Sequence, residues 1–167
     1  MTITVGDRLP DGQLTEFVET ATEACSVGPN AFQVADLVRG KKIAIFAVPG
    51  AFTPTCSAQH LPGYVERAAK FQEKGVDEIW CVAVNDAFVI GAWCRDQQVD
   101  GKVRMLADGS ALWTEALGLT LDLNALGLCT RSQRYSMLVE DCVVKHLNVE
   151  AGCKFEVSDA ATLLAQA

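Results

Sequence analysis

The segment Val48-Pro49-Gly50-Ala51-Phe52-Thr53-Pro54-Thr55-Cys56 puts a cysteine where a thiol can act as a nucleophile. Thr53-Pro54 is a helix-start signal, with a hydroxyl residue at the N-cap and proline at the first helical position. Counting on, Cys56 falls at the third helical position, where a capping box carries Glu or Gln. A thiolate there faces the positive end of the helix and backbone N–H groups that have no helical partner. A free thiol has a pKa of ~8.5, and a helix N-terminus with a cationic neighbour lowers it by about a unit or more, so this sulfur is expected to be mostly ionised at neutral pH. An unpaired cysteine is otherwise a small buried hydrophobe. The loop-to-helix junction, outside any apolar run, favours the reactive reading.

The elements that hold this segment follow from the pattern around it. Ile43 to Val48 is a short apolar run after the turn-like Gly40-Lys41-Lys42 and reads as a strand buried on both faces. Residues 63–74 read as a helix with Val65, Ala68, Ala69 and Phe71 inward, ended by Gly75. Pro62 is expected to kink the chain and set the Cys56 turn apart as a rigid element. Ile79 to Val84 is a second buried strand, and Phe88 to Gln97 a helix with Phe88, Ala92 and Trp93 inward. A third strand is expected at 103–106 and a short helix near 112–117. Tyr135–Glu140 and Val143–Val149 form a hairpin turning at Asp141-Cys142, and a last helix runs from about Ser158, its N-cap, to Ala165. This order implies one α/β domain over residues 1–167, a sandwich with a mixed central sheet flanked by helices. It matches the thioredoxin-like arrangement, though element order alone does not establish a fold.

Composition narrows the function. The 167 residues carry a net charge of −7 with Lys and Arg scattered, which argues against nucleic acid or an anionic membrane as partner. The longest apolar run, Ile43 to Phe52, is too short to span a bilayer, and the first residues lack a signal pattern, so a cytoplasmic location is expected. Seven cysteines, an odd number with no C-x-x-C pair, and two histidines argue against a disulfide scaffold and a zinc site. No metal or other cofactor is implied.

Three other functions compete. A dithiol oxidoreductase needs a cysteine where Thr53 stands. A cysteine hydrolase needs a base beside Cys56, and His60 and His146 both read more readily as structural residues. A redox sensor or binding module without turnover leaves the Thr53–Cys56 spacing unexplained.

Pro49-x-x-x-Thr53-x-x-Cys56 resembles the active-site signature of the peroxiredoxins, and PGAFTPTCSAQHLPGY (49–64) resembles their type II, or atypical two-Cys, subfamily. GVDEIWCVAVNDAFVIGAW (75–93), LADGSALWTEALGL (106–119), TRSQRYSMLVED (130–141) and HLNVE (146–150) extend the likeness. The resemblance implies a peroxidase that reduces hydrogen peroxide and organic hydroperoxides through a cysteine sulfenic acid. Cys56 would be the nucleophile, Pro49 its shield, and the Thr53 hydroxyl a hydrogen-bond partner of thiolate and peroxide. Arg134, just before Tyr135, would complete the pocket; Arg131 is its rival, and only the family pattern chooses between them. Cys81 is a possible resolving cysteine, although a mid-strand thiol is ordinarily inert. The C-terminal resolving cysteine of some relatives would fall near Val157, so glutathione with or without glutaredoxin is the expected reductant and thioredoxin the alternative. Relatives form homodimers through the active-site end. Cys129, Cys142 and Cys153 stand where relatives have glycine at turns.

Overall fold

Ile43 to Val48 and Ile79 to Val84 are apolar at nearly every position because a strand covered on both faces cannot alternate. A computed structural model describes residues 1–167 and shows why both faces are covered. In chain order the elements are β1 (Gln13–Val18), β2 (Gly28–Gln33), α1 (Val34–Val38), β3 (Lys42–Val48) and a π-helical turn (Cys56–His60). Then come α2 (Leu61–Glu73), β4 (Glu78–Ala83), α3 (Ala87–Asp96), β5 (Arg104–Ala107) and α4 (Leu112–Leu117). The chain ends with β6 (Thr120–Leu123), β7 (Cys129–Ser132), β8 (Tyr135–Glu140), β9 (Val143–Val149) and α5 (Ala160–Gln166).

Seven strands form one mixed sheet in the order β2-β1-β5-β4-β3-β8-β9, and β6 and β7 pair as a separate ribbon. β3 runs parallel to β4, and β4 to β5, while β8 is antiparallel to β3. The sheet divides two apolar cores. Along β4, Ile79, Cys81 and Ala83 face the core that holds Cys56, Tyr64, Phe71 and Trp93, whereas Trp80 and Val82 face the one that holds Trp113 and Tyr135. Because β3, β4 and β5 are parallel, the segments that follow them emerge on one edge of the sheet, where α/β folds place their sites.

The hairpin strands β8 and β9 and helix α4 match the sequence reading. The β1–β2 hairpin, α1 and the β6–β7 ribbon do not appear in it. Gln-Leu-Thr-Glu-Phe-Val in β1 buries only Leu14 fully, so its strand state comes from pairing with β2 and β5 and not from its own periodicity. Phe88 is 65% exposed, contrary to the inward expectation, because α3 buries Ala87, Ile90, Gly91 and Trp93. Ala69 is also exposed, since α2 turns Leu61, Tyr64, Ala68 and Phe71 inward. Asp159, not Ser158, caps α5, accepting the Thr162 N–H at 3.1 Å.

Candidate active site

The turn between β3 and the π-helical segment is fastened at several points. The Ala51 N–H donates to Asn85 Oδ1 at 2.9 Å, which ties the turn to the residue just beyond β4. Phe52 adopts a positive φ of 61°, a strained state for a residue with a side chain. Gly50 lies so close to Arg131 that a Cβ would sit 2.8 Å from the guanidinium. The Thr53 hydroxyl donates to the Gly50 carbonyl at 2.7 Å. That proton is therefore committed to the turn, which leaves the hydroxyl oxygen only its acceptor capacity. This differs from the expected bond to the sulfur.

The first helical residue is Pro54, so Cys56 is the third, and the N–H groups of Thr55 and Cys56 have no carbonyl one turn back to bond. The Ser57 N–H closes the first turn on the Thr53 carbonyl at 3.0 Å. From Cys56 the helix widens, and the Leu61 N–H reaches back five residues to the Cys56 carbonyl. Pro62 explains the widening: its ring has no N–H for the Ala58 carbonyl and would collide with it in α geometry. Trp93 donates its indole N–H to Ser57 Oγ at 3.0 Å and pins the widened turn to α3.

Cys56 is fully buried, with its neighbours Thr55 and Ser57 half-exposed, so the sulfur lies just under the surface. Arg134, at the start of β8, is 7% exposed and donates from Nη2 to Cys56 Sγ at 3.3 Å. Its Nη1 donates to His60 Nδ1 at 2.9 Å. His60 Nε2 donates to the Ser158 carbonyl at 3.0 Å. An arginine only donates and a carbonyl only accepts, so the ring is the Nε2–H tautomer and is neutral. Burial, and then the charge of Arg134, push the imidazole pKa down to about 3. The Arg134 guanidinium lies 5.8 Å from the Phe155 ring centroid, and its buried Nε–H has no partner.

The structure thus brings Cys56 and Arg134 together and gives Arg131 other partners. Arg131 instead donates to the Leu128 carbonyl at 2.8 Å and the Pro49 carbonyl at 3.4 Å. Pro49 is half-buried at the end of β3. Cys81 faces the same core as Cys56 but is buried in mid-strand, and burial pushes its thiol well above the ordinary value. All seven cysteines are free. In the sequence His60 reads as structural, and HLNVE carries no role beyond family likeness; the one-turn spacing of His60 from Cys56 is the signal that ties it to the site.

Residues 4–164 match the Redoxin family. Over 98% of its length the chain is 48% identical to the rice protein Peroxiredoxin-2E-2, chloroplastic (Oryza sativa subsp. japonica), and it covers 72% of that relative. The chain belongs to the peroxiredoxins. Within them it is of type II, and its fold is the thioredoxin-like sandwich of that family. Reduced Prx3 from Vibrio vulnificus, solved in complex with H2O2, superposes on this peroxiredoxin with a TM-score of 0.89 at 48% identity, over 98% of each chain. A structure from Burkholderia cenocepacia named as a thioredoxin reductase is 62% identical, with a TM-score of 0.97, over 99% of this chain and 98% of its own. That name does not suit the site seen here, in which Cys56 has no C-x-x-C partner. Like its relatives, this peroxiredoxin is a thiol peroxidase with an antioxidant function.

Proposed function

We propose that Cys56 is the peroxidatic nucleophile, with Arg134 as its electrostatic partner and Thr53 and Pro49 shaping the pocket. One observation carries this reading: the buried guanidinium of Arg134 donates to Cys56 Sγ at 3.3 Å, at the start of a helix. The guanidinium and the free N–H groups of Thr55 and Cys56 stabilise negative sulfur. The sulfur attacks one peroxide oxygen, an S–O bond forms and the O–O bond breaks. The departing alkoxide or hydroxide takes a proton and leaves as alcohol or water. The unpartnered Nε–H of Arg134 and the Thr53 oxygen supply a donor and an acceptor to orient the substrate, either hydrogen peroxide or an organic hydroperoxide.

An external thiol then closes the cycle. Glutathione condenses with the sulfenic acid, releasing water and leaving a mixed disulfide; a second thiol, glutathione or glutaredoxin, releases Cys56. The high pKa of Cys81 keeps it a neutral thiol and a poor internal resolver. Thioredoxin is the alternative reductant. Seven unpaired thiols suit a reducing compartment such as the cytoplasm. Phe52, Phe88 and Leu112 are 53%, 65% and 69% exposed, and each follows one of the three parallel strands. Exposed apolar side chains on the edge of the sheet where these strands end support a homodimer formed through that end.

Intact mass after one equivalent of peroxide tests the reading. The parent chain and Cys81→Ser each gain one oxygen, then one glutathione, and Cys56→Ser gains neither. An oxidised Cys56→Ser chain would reject the nucleophile. A wild-type product two hydrogens lighter, absent in Cys81→Ser, would reject the external resolver.

A further inference from the structure

We propose that Glu150 is a positioning residue for the Cys56 site, acting through the Ser158 carbonyl and the His60 imidazole on the guanidinium of Arg134. The inference rests on the reading of Cys56 as nucleophile and adds residues remote from the sulfur to it.

Glu150 follows β9 directly and is 5% exposed. Its Oε1 accepts the backbone N–H groups of Glu156, Val157 and Ser158, each at 2.8 Å, and the Ser158 hydroxyl at 2.8 Å. One carboxylate oxygen thus folds the connection before α5 into a fixed arc. The arc directs the Ser158 carbonyl inward, where it accepts from Tyr64 Oη at 2.9 Å and His60 Nε2 at 3.0 Å. Phe155, within the same arc, packs against the imidazole with centroids 4.9 Å apart.

Direction follows from donor and acceptor types alone. The carbonyl fixes the hydrogen on Nε2, so Nδ1 presents a lone pair. Arg134 Nη1 donates to that lone pair at 2.9 Å, which leaves Nη2 directed at Sγ. A flipped ring would oppose N–H to N–H and turn the guanidinium away. The Glu150 N–H also donates to the Arg134 carbonyl at 2.9 Å, so the same residue fixes Arg134 by its main chain and, through the arc, by its side chain. Burial raises the Glu150 carboxyl pKa, but the N–H groups of Val157 and Ser158 outweigh it and hold the group below its ordinary value, as an acceptor. Supporting shells of this kind set the precision of a reactive constellation.

The test uses the full chain and reads the rate of Cys56 oxidation by hydrogen peroxide, followed by tryptophan fluorescence across pH. Circular dichroism checks folding. His60→Leu and Glu150→Ala are expected to slow oxidation about tenfold or more and to move the pH–rate profile upward. His60→Gln keeps an acceptor for Arg134 and a donor for Ser158, and Glu150→Gln keeps the acceptor oxygen, so both are expected within about threefold of the parent rate. A folded His60→Leu chain with the parent rate and profile overturns the proposal, and so does His60→Gln as slow as His60→Leu. A Glu150→Ala chain that is less stable but oxidised at the parent rate assigns Glu150 to folding alone and also overturns it. His60→Leu keeps the question decidable if Glu150→Ala fails to fold. Cys56→Ser separates the two levels: an unchanged signal there removes the nucleophile itself, whereas a silent Cys56→Ser beside a normal His60→Leu removes only the relay.

Discussion

Arg134 and Cys56 are 78 residues apart in the chain, yet Nη2 lies 3.3 Å from Sγ, with Cys56 fully buried and Arg134 nearly so. The contact exists because β8 returns antiparallel beside β3, pairing Tyr135 with Ala47, so that Arg134 arrives at the level where the chain leaves β3 for the Cys56 turn. A charge held this way needs no rearrangement when negative charge moves from sulfur to the departing oxygen.

Arg134→Lys keeps the charge but loses the fork that joins His60 to the sulfur. Oxidation by hydrogen peroxide is expected to fall about a hundredfold, with the fold intact. Stopped-flow tryptophan fluorescence measures it, since Trp93 bonds the Cys56 turn. A rate within threefold of the parent would leave charge alone sufficient, about threefold being the spread of ordinary context effects.

Acid is expected to weaken the fold through His60. Its pKa is 6.5 unperturbed and about 3 in the folded chain, so below pH 6.5 the unfolded chain binds a proton that the folded chain refuses. Stability therefore falls as pH drops from 6.5 toward 3, and this group adds no slope above that window. Glu150, lowered from 4.5, acts with the same sign below that value. Urea midpoints measured across this range follow the loss, and His60→Gln is expected to flatten the upper part of it.

Two cysteines test the backbone. Cys129 has φ 57° and is exposed; Cys142 has φ 68° and is 7% exposed. Cys129→Gly relieves a left-handed conformation without losing contacts and is expected to stabilise by about 0.5 kcal/mol after the added freedom of the unfolded chain. Cys142→Gly gains less, because its sulfur leaves the core beneath the sheet. Equilibrium denaturation of the two variants compares them.

Gly118 tests the N-terminal segment. It has φ 71°, and a Cβ there would sit 2.7 Å from the Met1 carbonyl oxygen. Gly118→Ala is expected to cost about 2–3 kcal/mol from strain and overpacking together. It would also loosen the Ile3 N–H bond to the Leu117 carbonyl, now 2.9 Å. Faster proteolysis near Ile3 is the accompanying signature.

Much of the site was legible because its signals are local. Thr53-Pro54 marks the helix start at the expected place, although the Thr53 hydroxyl donates to the Gly50 carbonyl and caps no helical N–H, and the Asp141-Cys142 hairpin shows both residues at positive φ, as a two-residue turn requires. Cys129 and Cys142 at positive φ bear out the reading of glycine-like turns, whereas at Cys153 the positive φ falls on Gly152. The rest depended on distant partners. Arg131 and Arg134 are alike in sequence, and only the β3–β8 register separates them. Phe88 follows helical spacing but lies next to Phe17 of the unforeseen β1, with rings 5.9 Å apart at the surface. His60 gained its partners from loops before β8 and α5, which no pattern around residue 60 foretells.

The widened turn has a mechanical consequence. An extra residue per revolution is slack, and Pro62 already lacks the link that would carry an unravelling into α2, where Tyr64, Ala68 and Phe71 stay seated. If the coil lets go, the six residues from Cys56 to Leu61 become a tether with a reach of about 20 Å. The sulfur can then swing out to meet a bulky thiol while the sheet behind it keeps its shape.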